Sequence, residues 1–120
     1  MKTTQGEKMI SNELNGFTGT EQYYKGFCGV KMTDGVYFLY SKAGWVVSDA
    51  SVIVKMHKKV KSEVFVSVTC EVKKGKAVMT YDDGNGNVLY KQSYAYTDLE
   101  DGEVLKMFYT DGVLMLQGEY

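Results

Sequence analysis

VFVSVTCEVK, residues 64–73, is the stretch that decides the fold. Its apolar and polar side chains alternate, so that one side collects Val64, Val66, Val68, Cys70 and Val72, and the other collects Ser67, Thr69, Glu71 and Lys73. A period of two is typical of a β-strand that buries one face. The chain is therefore predicted to enter a sheet soon after residue 61.

Turn signals divide the rest of the chain into four further strands. A strand over residues 77–81 follows the turn Lys74-Gly75, and the cluster DDGNGN at 82–87 leads into a strand over 88–96. A last hairpin pairs 103–109 with 113–117 around the turn TDG at 110–112. Because the links are short, the five strands are expected to form an antiparallel meander.

The first 60 residues lack this alternation and carry helix signals instead. A short helix is expected over residues 8–15, and Thr33 or Asp34 can cap a second helix that Gly44 ends. Residues 45–60 are ambiguous, because their β-branched side chains favour a strand whereas the spacing of their apolar residues favours a helix. Helices followed by strands predict an α+β fold, with N-terminal helices packed on one face of a roughly five-stranded antiparallel meander sheet.

Length and composition indicate a globular chain. The 120 residues suffice for a single domain, 1–120, mainly helical over about 1–60 and sheet over about 61–120. With 24% charged and 44% hydrophobic residues, the composition excludes a disordered tail and a coiled coil. No uncharged apolar run approaches about 18 residues, and no N-terminal stretch has the pattern of a signal peptide. The protein is therefore expected in the cytoplasm and is not expected to associate with a membrane.

Charge is nearly balanced overall but uneven along the chain. All 14 cationic side chains are lysine, and the lack of arginine disfavours a sequence-specific reader of nucleic acid, which relies on bidentate arginine contacts. Seven lysines and two glutamates lie between Lys55 and Lys76, whereas eight acidic residues and two lysines lie from Asp82 to Tyr120. Either both regions are solvated faces, or the acidic one meets a basic surface on a partner.

The residues that could carry chemistry do not form a catalytic or metal signature. Cys28, His57 and Cys70 are three potential zinc ligands where a structural site needs four, and nothing beside Cys28 marks an activated nucleophile. His57 is expected at an exposed helix end. A calcium loop that began at Asp82 would need glutamate at its twelfth position, where the sequence has Ser93. The cluster at 82–87 is therefore predicted to be a hairpin turn. We predict that the protein is not an enzyme and that it binds neither a cofactor nor a metal ion.

Several stretches, in fixed order, resemble an uncharacterised small domain family of bacteria, phages and mobile elements. They are FTGTEQYY at 17–24, TDGV at 33–36, Asp49-Ala50, DGNGNVLY at 83–90 and Tyr96-Thr97-Asp98. The resemblance favours a helix over 45–60 and implies no established activity. Because small phage proteins without catalytic residues often bind and inhibit a host defence effector, the resemblance also implies such a role for this chain. The most concrete case is a CRISPR nuclease, whose basic channel accepts carboxylates in place of phosphates.

We expect the binding surface to combine acidic and tyrosine side chains of the C-terminal third. The predicted contact residues are Asp98, Glu100, Asp101, Glu103, Asp111, Tyr96 and Tyr109. Tyrosine suits a surface that is partly buried and partly wet. Two alternatives stay open: a nucleic-acid-associated accessory protein that uses the basic segment Lys55–Lys76, and a self-associating module such as a homodimer. Acidic strands around the tyrosines disfavour direct binding of nucleic acid by the sheet.

Overall fold

The computed structural model describes residues 9–120, and this part of the chain forms three α-helices and a seven-stranded sheet. The helices are α1 (Ile10–Leu14), α2 (Asp34–Lys42) and α3 (Gly44–Met56). The strands are β1 (Tyr24–Lys25), β2 (Lys31–Met32), β3 (Phe65–Lys73), β4 (Lys76–Asp82), β5 (Val88–Tyr94), β6 (Val104–Thr110) and β7 (Val113–Leu116). The α+β class is confirmed. Lys8, the first residue of the predicted short helix, lies outside the described residues. None of these three helices is long and apolar enough to cross a bilayer.

The strands follow the order β1-β2-β7-β6-β3-β4-β5 across the sheet. The central strand β3 pairs antiparallel with both β4 and β6, so the chain leaves β5 at one edge and crosses to the other side of β3 before β6 begins. The predicted five-stranded meander is therefore wrong. The strands instead form two arms on either side of β3, one made of β4 and β5 and the other of β6 and β7. The sheet is also mixed, because the short strand β2 runs parallel to β7.

One face of the sheet is buried against α2 and α3. The predicted alternation holds on β3 for Val66, Val68, Cys70 and Val72, which are each at most 2% exposed. Val64 is instead 84% exposed, because the pairing of β3 with its neighbours begins only at Phe65. The helices contribute Val36, Leu39, Val46, Val47, Ala50 and Val54 to this core. The prediction of a helix over 45–60 is confirmed as far as Met56.

The turn at 82–87 joins β4 to β5, as predicted. Asp83 Oδ1 accepts hydrogen bonds from the backbone amides of Asn85 and Asn87 at 2.9 and 3.2 Å, and Asp83 Oδ2 accepts one from Asn87 Nδ2 at 2.9 Å. These bonds, the one to the Asn87 side chain first, lower the pKa of the Asp83 carboxyl. The carboxylate thus holds the backbone of its own hairpin.

Candidate binding site

The structure divides the predicted acidic residues between separate places. Asp98, Glu100 and Asp101 lie in the link between β5 and β6, where Asp98 and Asp101 are exposed. Asp111 lies in the turn after β6, at φ +53°. Because the seven residues of β6 rise about 3.3 Å each, Asp111 is about 25 Å from that link. One continuous acidic face that includes Asp111 is therefore excluded.

Glu103 is not a surface residue. Its side chain is 1% exposed, and its two carboxylate oxygens accept hydrogen bonds from the backbone amides of Ile10 and Ser11, both at 2.9 Å. These amides belong to the first turn of α1, whose N–H groups have no partner within the helix. The prediction of Glu103 as a contact residue is therefore wrong, because its carboxylate fastens α1 to the sheet.

Tyr96 and Tyr109 lie in opposite environments. Tyr96 follows β5 and is 80% exposed. Tyr109 lies opposite Val66 and Leu114 on the helix-facing side of the sheet, where burial raises its pKa. Its ring packs against the core, so Tyr109 does not join Tyr96 on one contact surface. The strand tyrosines Tyr81, Tyr90 and Tyr94 belong to the same helix-facing side.

Tyr96 and Asp98 border a cleft that we call the acidic-aromatic cleft. It has a volume of about 330 Å³ and is lined by Trp45, Asp49, Tyr94, Tyr96, Thr97 and Asp98. Trp45 and Asp49 lie on α3, and their spacing of four residues places them on the same side of that helix. Tyr94 is the last residue of β5, and the remaining residues begin the link to β6. The cleft thus lies between a helix and an edge strand.

Hydrogen bonds and ring contacts fix the walls of the cleft. The Tyr94 hydroxyl donates to Asp49 Oδ2 at 2.6 Å, and the Tyr94 ring lies 4.7 Å from the Trp45 ring. Burial first, and then the hydrogen bond to Asp49, raise the pKa of Tyr94, so its hydroxyl keeps its proton at neutral pH. The Thr97 amide donates to Gly75 O at 2.8 Å, which ties the link to the β3–β4 turn.

The acidic-aromatic cleft has the chemistry of a site for organic cations. Asp98 is exposed, and Asp49 accepts a hydrogen bond from Tyr94 through one of its two oxygens. Carboxylates attract an ammonium or guanidinium group, and the face of a Trp or Tyr ring adds about 0.5–2 kcal/mol of cation–π stabilisation. Lysine and arginine side chains carry such cations.

Sequence reasoning missed Trp45, Asp49 and Tyr94 as site residues. The spacing of Trp45 and Asp49 on a predicted helix was part of the signal, since it puts a ring and a carboxylate on one helix face. However, 45 residues separate Asp49 from Tyr94, and no local pattern indicates which strand α3 covers. The site therefore becomes visible only once the helix is placed on the sheet.

Cys28, His57 and Cys70 do not form a site. Cys28 is exposed and Cys70 is buried in the core. Within residues 9–120, no group of three His, Cys, Asp or Glu side chains is arranged to hold a metal ion. His57 follows α3 directly, but it is half-buried rather than exposed, because its ring packs 4.2 Å from that of Tyr90.

The two thiols are expected to react at very different rates. Burial raises the pKa of Cys70 to about 12, so at about pH 8 this thiol is protonated as well as shielded. With the thiol reagent DTNB, the native protein should react quickly at Cys28 alone, and at Cys70 only after unfolding. A Cys28→Ser variant should lose the fast phase. Equal rates for both thiols in the native protein would contradict the burial of Cys70.

Comparison with known proteins gives a family and no activity. No curated protein and no solved structure matches the chain. A family model does match over residues 8–120, which is nearly the whole chain, and its family is described as one of unknown function. This agrees with the resemblance to an uncharacterised domain. The chain therefore belongs to the family of unknown function DUF6876.

Proposed function

We propose that this chain is a non-enzymatic binding protein of the bacterial cytoplasm that attaches to a basic protein through the acidic-aromatic cleft. The observation that carries the proposal is the position of Tyr96, a large aromatic side chain that is 80% exposed beside an acidic cleft. Aromatic side chains next to a pocket are typical of the few residues that dominate the binding energy of an interface.

The charges around the cleft support a basic partner. Asp49 and Asp98 line the cleft, and Glu100 and Asp101 follow in the same link. Asp101 Oδ1 also accepts a hydrogen bond from the Gly75 amide at 2.9 Å, which holds the link against the β3–β4 turn. An acidic region on a fixed backbone attracts a lysine- or arginine-rich surface and orients it during encounter.

The candidate partner is a host defence effector, most concretely a CRISPR nuclease. Such an effector holds its guide–target duplex in a positively charged channel. Carboxylates of the cleft and the following link would take the place of phosphates there, with Tyr96 as the apolar anchor. The protein would then act as a phage or mobile-element inhibitor that blocks the channel.

Binding to purified CRISPR effectors, with and without guide RNA, tests this proposal by biolayer interferometry. We expect Tyr96→Ala to weaken binding about 30-fold, because truncation of an anchoring aromatic costs about 2 kcal/mol. Asp98→Asn should weaken binding about fivefold, and the difference should shrink at high salt because it is electrostatic. Both side chains are exposed, so the fold should tolerate either change.

Asp111→Asn is the matched control, because it removes the same charge at the far end of β6. Its affinity should stay within about twofold of the parent protein, as expected for an exposed charge outside the interface. An equal loss in Asp98→Asn and Asp111→Asn would show that net charge rather than the cleft drives binding. Failure to bind any effector, with elution as an oligomer, would contradict the proposal and favour self-association.

A further inference from the structure

The face of the sheet that points away from the helices carries exposed lysines. The register places Lys73 of β3, Lys76 of β4, Lys91 of β5 and Lys106 of β6 on this side, and all four are exposed. Lys74 lies beside them in the β3–β4 turn. We call these five residues the lysine face. The carboxylates on the same side of these strands are Glu71 and Asp82, so cations outnumber anions there.

Two of these lysines stand directly opposite each other. Lys73 pairs with Lys76 in the β3–β4 register, and their side chains point to the same side of the sheet. Like charges at directly opposite positions destabilise an antiparallel pair. An anion bound between the two ammonium groups would remove that repulsion, so this end of the sheet favours an anionic ligand.

The lysine face surrounds a groove rather than a flat surface. A cavity of about 590 Å³ is lined by four lysines, Lys73, Lys74, Lys76 and Lys91, by two glutamates, Glu71 and Glu103, and by apolar residues that include Val78 and Val104. Val104 is 50% exposed although it lies on a strand. The groove therefore offers both ammonium groups and apolar contact area.

A row of residues on four neighbouring strands extends the positive charge across the sheet. Lys106 lies opposite Thr69, Thr69 opposite Thr80, and Thr80 opposite Lys91. Since neighbouring strands are about 4.8 Å apart, the two lysine Cα atoms are about 14 Å apart. Small threonine side chains between two lysines leave a shallow path across the strands, which suits an extended polyanion.

Aromatic rings continue this path beyond Lys106. Phe108 follows Lys106 on the same side of β6, and the Lys106 ammonium lies 6.0 Å from the centre of the Phe108 ring. The Phe108 ring lies 5.1 Å from that of Phe65 and 5.3 Å from that of Tyr120, which is 72% exposed. The aromatic cluster thus lies outside the groove, next to Lys106, and aromatic rings combined with lysines on one face of a sheet are the usual platform on which unpaired bases stack.

We propose that the lysine face, together with Phe65, Phe108 and Tyr120, binds single-stranded nucleic acid. Lysines contact the sugar–phosphate backbone, and the aromatic cluster stacks on bases without selecting a sequence, which agrees with the absence of arginine. This surface adjoins the acidic-aromatic cleft at the β3–β4 turn, where Thr97 and Asp101 bond to Gly75, but it shares no lining residue with the cleft and does not depend on the function proposed for it. The acidic residues 98–101 lie in the β5–β6 link and not on the strands, although Asp101 accepts a hydrogen bond from the Gly75 amide, next to Lys74 and Lys76.

The basic segment Lys55–Lys76 is not one surface. Lys55, Lys58, Lys59 and Lys61 lie at and after the end of α3, before β3 begins, whereas Lys73, Lys74 and Lys76 lie at its other end. The nine residues of β3 separate the two groups by about 30 Å. Lysines of the first group therefore provide a control with the same charge at a different place.

Fluorescence anisotropy of labelled single-stranded DNA and RNA, each of about 12 nucleotides, tests the proposal. If all five lysines contact phosphates, the logarithm of the affinity should fall with the logarithm of salt concentration at a slope of about −3.5. That slope corresponds to roughly 100-fold weaker binding between about 50 and 200 mM salt. A Lys91→Gln/Lys106→Gln variant should reduce the slope by about 1.4.

Two further variants separate this surface from general charge. Lys58→Gln/Lys59→Gln removes the same charge near α3 and should leave affinity and slope unchanged within about twofold. Tyr120→Leu keeps an apolar side chain but removes the ring, so affinity should fall about tenfold with an unchanged salt slope. Thermal unfolding of each variant confirms that the fold is intact.

Three results would overturn the proposal. The first is no binding of either single strand at about 50 mM salt. The second is a Lys58→Gln/Lys59→Gln variant that weakens binding as much as Lys91→Gln/Lys106→Gln does. The third is a preference for duplex DNA or for polyglutamate combined with no effect of Tyr120→Leu, since this would assign the surface to a duplex or to an acidic polypeptide.

Discussion

Glu119→Ala should lower the free energy of unfolding by about 3 kcal/mol, although residue 119 lies outside every strand and α-helix. The Glu119 carboxylate accepts hydrogen bonds from the Thr33 hydroxyl at 2.6 Å and from the backbone amides of Gly35 and Leu116, both at 3.0 Å. Each hydrogen bond to a charged group contributes about 1.5–3 kcal/mol, but bonds that share one acceptor do not add fully. Alanine would also leave the Thr33 hydroxyl, in a side chain that is 2% exposed, without this acceptor.

Urea unfolding followed by circular dichroism measures this loss. Glu119→Gln is the matched variant, because it keeps one acceptor oxygen but loses the charge, and it should cost about half as much as alanine. Glu119 also faces the N-terminus of α2, where a negative charge is favourable. If Glu119→Ala changes the free energy of unfolding by less than about 0.5 kcal/mol, the carboxylate does not hold the start of α2 to the end of the chain.

The start of α2 illustrates what sequence reasoning can and cannot reach. Thr33 was a predictable N-cap, and the structure shows its hydroxyl accepting a hydrogen bond from the Val36 amide at 3.3 Å. The other amides of the first turn use distant partners: Asp34 donates to Thr20 Oγ1, and Gly35 donates to Glu119. Local motifs encode a cap within a few residues, whereas a carboxylate that arrives 84 residues later leaves no local pattern.

The sheet shows the same limit. Alternation and turn chemistry correctly predict β3 to β7 and the three hairpins among them, because these are properties of neighbouring residues. They miss the two-residue strands β1 and β2, which lie in the region predicted to be helical. The order of the two arms depends instead on the link at 95–103, which carries the chain past the end of β3. Two long-range contacts hold that crossing: the Gly102 amide donates to Val72 O and the Val72 amide donates to Glu103 O. No turn motif distinguishes such a crossing from a short meander link.

The candidate binding site was only partly predictable for a related reason. Asp98 stands out in the sequence because it lies in an acidic link, and Tyr96 because it ends the predicted strand 88–96 next to that link, whereas in the structure β5 already ends at Tyr94. Glu103 has the same local appearance, but it is the residue at which the link enters the sheet, and its side chain turns inward to α1. Sequence gives the charge of a residue directly, whereas the side of the sheet to which it points depends on where the strand begins.

Gly35→Ala should destabilise the protein by about 3 kcal/mol, against the usual rule for helices. Glycine inside a helix normally costs about 1 kcal/mol relative to alanine, so this substitution would be stabilising at an ordinary position. A Cβ at Gly35 would lie 2.6 Å from Glu119 Oε1 and 2.8 Å from Leu116 Cγ. Leu116 is 3% exposed and packed in the core, so it has little room to move.

Gly44→Ala at the start of α3 is the matched control, because the nearest atom to its Cβ would be Tyr40 Cε1 at 3.4 Å. This variant should be neutral or more stable by up to about 1 kcal/mol in urea unfolding. The double variant Gly35→Ala/Glu119→Ala should lose less stability than the two single losses added together, since removal of the carboxylate relieves part of the overlap. Full additivity would show that the overlap is with Leu116 and not with Glu119. A Gly35→Ala protein as stable as its parent would show that both Glu119 and Leu116 move aside freely. The close packing of α2 against the end of the chain would then not be what requires glycine at this position.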